Sequence, residues 1–161
     1  MKDQEGVESN QLVTVEIGGN KTTDEIVSYL IKNGFKKVNK WITQKNFPIK
    51  ADEKVKEVEI EIIDPDRSFN KEDALKLLAA AGLRRPTKEC ALRFAEQYLY
   101  GRSYDSKKPY VVFLHVPWMD KSRSHCILCV NRDPDNRELR LRYHVNGFDN
   151  RCVLAGIRSH K

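Results

Sequence analysis

The fold is decided by residues 125–144, which read HCILCVNRDPDNRELRLRYH. The first part, residues 125–130, is apolar and rich in β-forming side chains, so it predicts a strand. Residues 133–136, Asp-Pro-Asp-Asn, form a strong turn signal. After the turn, residues 138–144 alternate between apolar and charged side chains, as a half-buried strand does. The alternation predicts two faces: Leu139, Leu141 and Tyr143 inward, and Glu138, Arg140, Arg142 and His144 outward.

Further strands are predicted on both sides of this pair. Residues 110–116 form a continuous apolar run that predicts a central strand, and Pro117 is expected to end it because proline cannot donate to a ladder. Residues 152–157 predict a last strand that closes the sheet after a tight turn at 146–147. The chain from residue 110 onward therefore reads as antiparallel β structure. Two earlier strands are predicted at residues 12–17 and 55–63.

Helices are predicted where a capping side chain precedes an apolar pattern of helical spacing. The predicted caps are Thr22 or Thr23, Asn70 and Thr87. Strands and helices alternate in the first two thirds of the chain, and strands alone follow. This order predicts an α+β fold with two to three helices and a mixed, mainly antiparallel sheet.

The chain length of 161 residues suits one domain with one core. Residues 1–10 are polar and predicted to be flexible, and residues 11–161 are predicted to form a single globular domain. No run approaches the roughly 20 apolar residues of a membrane span. The start lacks the apolar stretch of a secretory signal, so a cytoplasmic location is expected.

Basic residues are concentrated in the second half of the chain. Residues 1–80 carry 13 Lys and Arg against 15 Asp and Glu, whereas residues 81–161 carry 16 against 8. The second half also holds eleven of the twelve arginines. Because the guanidinium group suits carboxylates, phosphates and aromatic faces, a polar or anionic ligand is expected to meet this half.

The Cys126-x-x-Cys129 pair has a spacing that zinc sites use. Positions three apart in a strand point to opposite faces, so these two thiols could converge on one metal only in a turn, and no glycine or proline lies between them. The four cysteines are instead predicted to be buried free thiols. No nucleophile elbow and no phosphate-cradling glycine loop is present. We therefore expect no bound metal, no cofactor and no catalytic residue. The four cysteines are Cys90, Cys126, Cys129 and Cys152.

Several landmarks resemble a group of small uncharacterised proteins from candidate-phyla bacteria, over about residues 11–158. They are Lys40-Trp41, Asn46-Phe47-Pro48, Lys71-Glu72-Asp73-Ala74, Gly82-Leu83-Arg84-Arg85-Pro86-Thr87, Pro109-Tyr110-Val111-Val112, Arg137-Glu138-Leu139-Arg140-Leu141, Asn146-Gly147-Phe148 and Val153-Leu154-Ala155-Gly156-Ile157-Arg158.

That group in turn distantly resembles the C-type-lectin-like fold of formylglycine-generating enzymes and of retroelement-diversified variable proteins. The shared features are the Arg-x-Pro-Thr helix start at 84–87 and a closing strand that ends in arginine. Cys90 and Ala91 replace the acidic and aromatic residues of the enzymes, and Phe148 stands where tryptophan is usual. The resemblance therefore implies binding and does not imply the enzymatic chemistry.

Together these features predict a non-enzymatic binding module for a protein or a small polar or anionic ligand, with no membrane partner. The alternative is an RNA-binding or RNA-cleaving protein that uses the arginine-rich half. Loops on a sheet commonly carry such contacts, and polar side chains around a ring suit recognition. The predicted contact residues are Arg140, Arg142, His144, Asn146, Phe148, Asn150 and Arg151.

Overall fold

The computed structural model describes residues 11–98, 107–143, 145 and 147–158. Within these ranges the chain forms three helices: α1 (Thr23–Lys32), α2 (Lys71–Ala80) and α3 (Lys88–Gln97). The strands are β1 (Gln11–Gly18), β2 (Lys37–Val38), β3 (Val55–Ile63), β4 (Leu83–Arg84), β5 (Tyr110–Met119), β6 (His125–Asn131), β7 (Glu138–Tyr143) and β8 (Cys152–Arg158). The α+β prediction is confirmed.

All eight strands belong to one mixed sheet. Its order is β1-β3-β8-β5-β6-β7-β2, with β4 attached to β8. The β5–β8 and β2–β7 pairs are parallel and the other pairs are antiparallel. One face is covered by α3, α1 and the segment at 42–49, and the other face by α2. The sheet is therefore buried on both faces, which explains the continuous apolar runs of its central strands.

The helices begin where local hydrogen bonding predicts. Thr22 and Glu25 form a reciprocal capping box at α1, and Asn70 and Asp73 form another at α2. Thr87 caps α3 by accepting the N–H of Cys90. Each cap satisfies a backbone donor that a helix start leaves free, which fixes these boundaries.

The β6–β7 pair forms as predicted, antiparallel and in continuous register from Cys126 opposite Tyr143 to Asn131 opposite Glu138. Leu139 is fully buried and Arg140 is exposed, as their alternation predicts. Tyr143 departs from the prediction, because its side chain at the end of β7 is exposed.

The prediction that Pro117 ends the central strand is wrong. Strand β5 continues to Met119, and its pairing with β6 shifts register between Phe113 and Trp118. A proline is tolerated in such an irregularity because no ladder hydrogen bond is needed there. The His115 imidazole lies inside this segment, and its Nε2 accepts the N–H of Leu128 at 2.9 Å. A side chain thus replaces an acceptor that the regular ladder would supply.

The last strand does not lie at the edge of the sheet. Strand β8 crosses back and inserts between β3 and β5, parallel to β5. Cys152 therefore lies on the face covered by α2, as does Cys129. All four cysteines are buried free thiols, as predicted. Among the helices of the described ranges, none combines the length and apolar character needed to cross a bilayer.

Candidate functional site

The structure brings the three predicted contact arginines to one part of the α2-covered face. The guanidinium groups of Arg140 and Arg151 lie 5.5 and 5.3 Å from the ring centre of Tyr110. That of Arg142 lies 5.3 Å from the ring centre of Phe148. Asn150 is exposed on the turn before β8. His144 and Asn146 lie outside the described residues.

Phe148, one of the predicted contact residues, does not present its ring to solvent. Only 4% of the residue is exposed, and its ring packs 5.3 Å from that of Phe69. The backbones of these two residues exchange hydrogen bonds of 2.8 and 2.9 Å. Burial removes the apolar ring from water and ties the turn to the segment before α2. The surface predicted around this ring therefore lacks its aromatic contact.

The arginines of that surface already have partners of opposite charge nearby. Arg140 is paired with Glu138 at 3.5 Å, and Arg151 with Asp149 at 3.3 Å. Arg142 shares a shallow depression with Asp73 and Asp149. The positive charge available to a ligand is thus reduced, and the role of these residues in binding stays a prediction.

A second region, which we call the basic cleft, is concave and more strongly charged. It lies at the start of α3 and has a volume of about 500 Å³. Its apolar lining includes Ile17, Val58 and Ile157, from three neighbouring strands, and Ile49 from the segment before β3. Its cationic side chains are Lys50, Arg84, Arg85 and Lys88.

Two of these cations are positioned by the backbone around them. Arg84 belongs to β4, which pairs with the end of β8. Arg85 donates from Nε to the carbonyl of Leu114 at 3.0 Å and from a terminal nitrogen to that of His115 at 3.1 Å. The bulged end of β5 therefore fixes the Arg85 guanidinium beside the cleft.

The cleft has little negative charge to offset its cations. None of its four cations forms an ion pair with a carboxylate of the described residues. Glu89 also lines the cleft, but its carboxylate accepts the N–H of Gly18 at 2.9 Å. Partial burial lowers the pKa of Lys88, as expected of an ammonium without a counter-charge.

The backbone at the start of α3 adds donors to the same place. Thr87 satisfies the N–H of Cys90. For the N–H groups of Lys88 and Glu89, the described part of the chain supplies no acceptor. Free N–H groups at a helix start favour negative charge, so they reinforce the field of the side-chain cations.

The His115 imidazole and the Cys90 thiol also line the cleft, and neither is poised for proton transfer. His115 is buried; its Nδ1 donates to the carbonyl of Val116 at 2.7 Å and its Nε2 accepts from Leu128. Burial, helped by the charges of Lys88 and Arg85, lowers the pKa of His115 to about 4. Burial raises the pKa of the Cys90 thiol. The cleft therefore presents a neutral imidazole and a protonated thiol at neutral pH.

The sequence contained a signal for this cleft that the site prediction did not use. Residues 84–88, Arg-Arg-Pro-Thr-Lys, place three cations around a helix cap, where backbone donors are also free. Lys50 and the apolar lining are distant in sequence, so only the fold shows that they complete a cavity.

Comparison of the chain with protein-family models, curated proteins and solved structures found no match. The C-type-lectin-like resemblance accordingly stays an expectation from the sequence.

Proposed function

We propose that the protein is a non-enzymatic binding module whose basic cleft holds a small organic anion. The phosphate or carboxylate group of the ligand contacts Lys50, Arg84 and Lys88, and its apolar portion lies against the isoleucine and valine lining. The observation that carries this proposal is the convergence of four cations, none of them ion-paired within the described residues, on one apolar-lined cavity.

The dimensions of the cleft suit a small molecule. Ligand cavities commonly measure about 300–1,000 Å³ and combine apolar walls with a few convergent polar groups. A purely inorganic anion would leave the lining of Ile17, Val58 and Ile157 without a partner. An uncharged apolar ligand would leave the cations without one. A molecule with both parts satisfies both sets of contacts.

Binding without catalysis is supported by the two reactive side chains of the cleft. Both ring nitrogens of His115 are engaged with the backbone, so the imidazole orders the β5 bulge. The Cys90 thiol has a raised pKa, which opposes formation of the thiolate nucleophile. Four buried free thiols also fit the reducing cytoplasm as the place of action.

Calorimetric titration with phenyl phosphate, benzoate and inorganic phosphate tests this proposal. We expect phenyl phosphate to bind more tightly than inorganic phosphate, because only the ester also uses the apolar lining. Benzyl alcohol, which lacks the charge, is expected not to bind. Failure of all three anions at millimolar concentration and low salt would contradict the proposal.

Replacing Lys88 with methionine removes the charge and keeps an unbranched apolar stem. We expect Lys88→Met to weaken phenyl phosphate binding roughly tenfold or more, since a hydrogen bond to a charged group contributes about 1.5–3 kcal/mol. Lys76→Met, on the exposed side of α2, is the matched control and should bind as the original chain does. Equal affinity of all three proteins would place the anion elsewhere.

The alternative of RNA binding or cleavage by the arginine-rich half stays a prediction. Nucleic-acid binding is supported instead at another part of the surface, a groove lined by tryptophan and lysine.

A further inference from the structure

A groove beside the β5–β6 turn holds both tryptophans of the chain. We call it the tryptophan groove; its volume is about 680 Å³. Trp41 is 41% exposed and Met119 51% exposed, so apolar surface of both side chains is open to solvent at the groove. The lining residues used below are Lys40, Trp41, Lys45, Trp118, Asp120 and Lys121.

The two indoles form a firm platform. Their ring centres are 6.5 Å apart with planes inclined by 30°. Trp118 rests on the buried ring of Phe47 at 5.4 Å. Two hydrogen bonds hold the backbone of Trp41. Its carbonyl accepts from the Asn46 side chain at 2.9 Å, and its N–H donates to the Asn39 side chain at 2.8 Å. Trp41 is thus held outward by anchored neighbours.

Positive charge surrounds this platform. The ammonium groups of Lys40 and Lys121 lie 5.4 and 5.6 Å from the ring centre of Trp41, and Lys45 also lines the groove. Within the described ranges, none of these three lysines is ion-paired with a carboxylate.

The acidic side chain at the groove is engaged in holding the turn. One carboxylate oxygen of Asp120 accepts from the backbone N–H groups of Ser122 and Ser124, each at 2.9 Å, and from the Ser122 hydroxyl at 2.8 Å. These bonds hold the pKa of Asp120 below its usual range. Its role is to order the turn that places Lys121 beside Trp41.

We propose that the tryptophan groove binds single-stranded nucleic acid, with a base stacked on Trp41 and phosphates held by Lys40, Lys45 and Lys121. Exposed aromatic rings flanked by cations are the combination that such ligands use, because every base has a stacking face and every linkage has a charge. A neutral sugar could stack on the indole but would leave three lysines unused. The surface is distinct from the basic cleft, so either proposal can fail alone.

Intrinsic fluorescence gives a direct test, because the two tryptophans of the chain both line the groove. A short oligothymidylate added to the full chain at low salt is expected to quench this emission and to give a binding curve. With three lysines engaged, log affinity should fall with log salt with a slope near −2, at about −0.7 per phosphate neutralised.

Single substitutions distinguish stacking of a base on Trp41 from electrostatic attraction of the oligonucleotide to the basic surface. Trp41→Ala is expected to weaken oligothymidylate binding roughly 5- to 150-fold, the range for loss of one stacked base, while Trp41→Phe keeps most of the affinity. Lys121→Ala should lower the salt slope by about 0.7, and the control Lys76→Ala should leave it unchanged. Thermal melts of each variant verify that it is folded.

Three results would overturn the proposal. The first is quenching or binding that Trp41→Ala leaves unchanged, which would indicate attraction to the basic surface at large. The second is tighter, Trp41-dependent binding of a sulfated polysaccharide such as heparin, which would assign the groove to another polyanion. The third is the absence of any oligothymidylate binding at low salt. Phenyl phosphate affinity of Trp41→Ala, measured in parallel, should match that of the original chain.

Discussion

Phe47→Ala is expected to lower the free energy of unfolding by about 3–5 kcal/mol, the range for removing a buried phenylalanine ring. The side chain has no exposed surface. Its ring contacts Trp118 at 5.4 Å, meets His115 edge-on at 6.4 Å, and lies 5.6 Å from the ammonium of Lys88. One ring therefore supports both the tryptophan groove and the basic cleft. Urea unfolding measures the loss.

Phe69→Ala is the matched control for this variant. Phe69 is equally buried but belongs to the core on the other face of the sheet. Both variants should be destabilised, but only Phe47→Ala should shift tryptophan emission to longer wavelength, because only that change exposes Trp118 to water. An unshifted emission in a folded Phe47→Ala protein would contradict the packing described for Trp118.

Acidification is expected to destabilise the protein by about 3 kcal/mol through His115, because its pKa is about 4 in the folded chain and about 6.5 in the unfolded chain. Below pH 6.5 the His115 imidazole binds a proton in the unfolded chain, whereas in the folded chain it stays neutral until the pH approaches 4. The stability from the neutral imidazole is thus complete above pH 6.5 and is lost progressively as pH falls toward 4. Urea melts between pH 7.5 and 4 measure this slope.

His115→Gln supplies the control for the pH dependence. Glutamine offers an acceptor for the Leu128 N–H and does not titrate. The variant is expected to be less stable at pH 7.5, because it fits the bulge less well, but its stability should change much less between pH 6.5 and 4. A steep decline that persists in His115→Gln would show that another group causes it.

Local interactions explain which parts of this fold could be predicted from the sequence. The capping boxes of Asn70 and Thr22 each involve residues three positions apart, so a short stretch of sequence is enough to predict where each helix begins. The alternation of Leu139 and Arg140 similarly identifies the buried face of β7. These features need no knowledge of the rest of the chain.

The features that escaped prediction depend on contacts between distant segments. The insertion of β8 beside β5 reflects pairing across the whole sheet, and the passage of β5 through Pro117 depends on the bond from Leu128 to His115. Phe148 is buried because Phe69 lies opposite it. The composition of residues 144–151 does not by itself distinguish a recognition loop from a packed turn.

The candidate sites were missed for the same reason. Lys50 and Lys88 are 38 positions apart, and Trp41 and Trp118 are 77 positions apart. The site prediction instead followed the density of arginines near the last strand. That prediction did not weigh the carboxylates of Glu138 and Asp149, each of which lies two positions before the arginine that it pairs with.

The location of the bound anion tests the central claim most directly. The uniformly ¹⁵N-labelled chain is titrated with phenyl phosphate while backbone amide and indole signals are followed by NMR. The basic cleft predicts that the largest shifts occur at the amides of Lys88 and Glu89, with smaller ones at Arg84 and Arg85. The indole signals of Trp41 and Trp118 and the amide of Arg151 should stay in place. Saturable shifts at Arg140 and Arg151 or at the indoles, with Lys88 and Glu89 unmoved, would contradict the account.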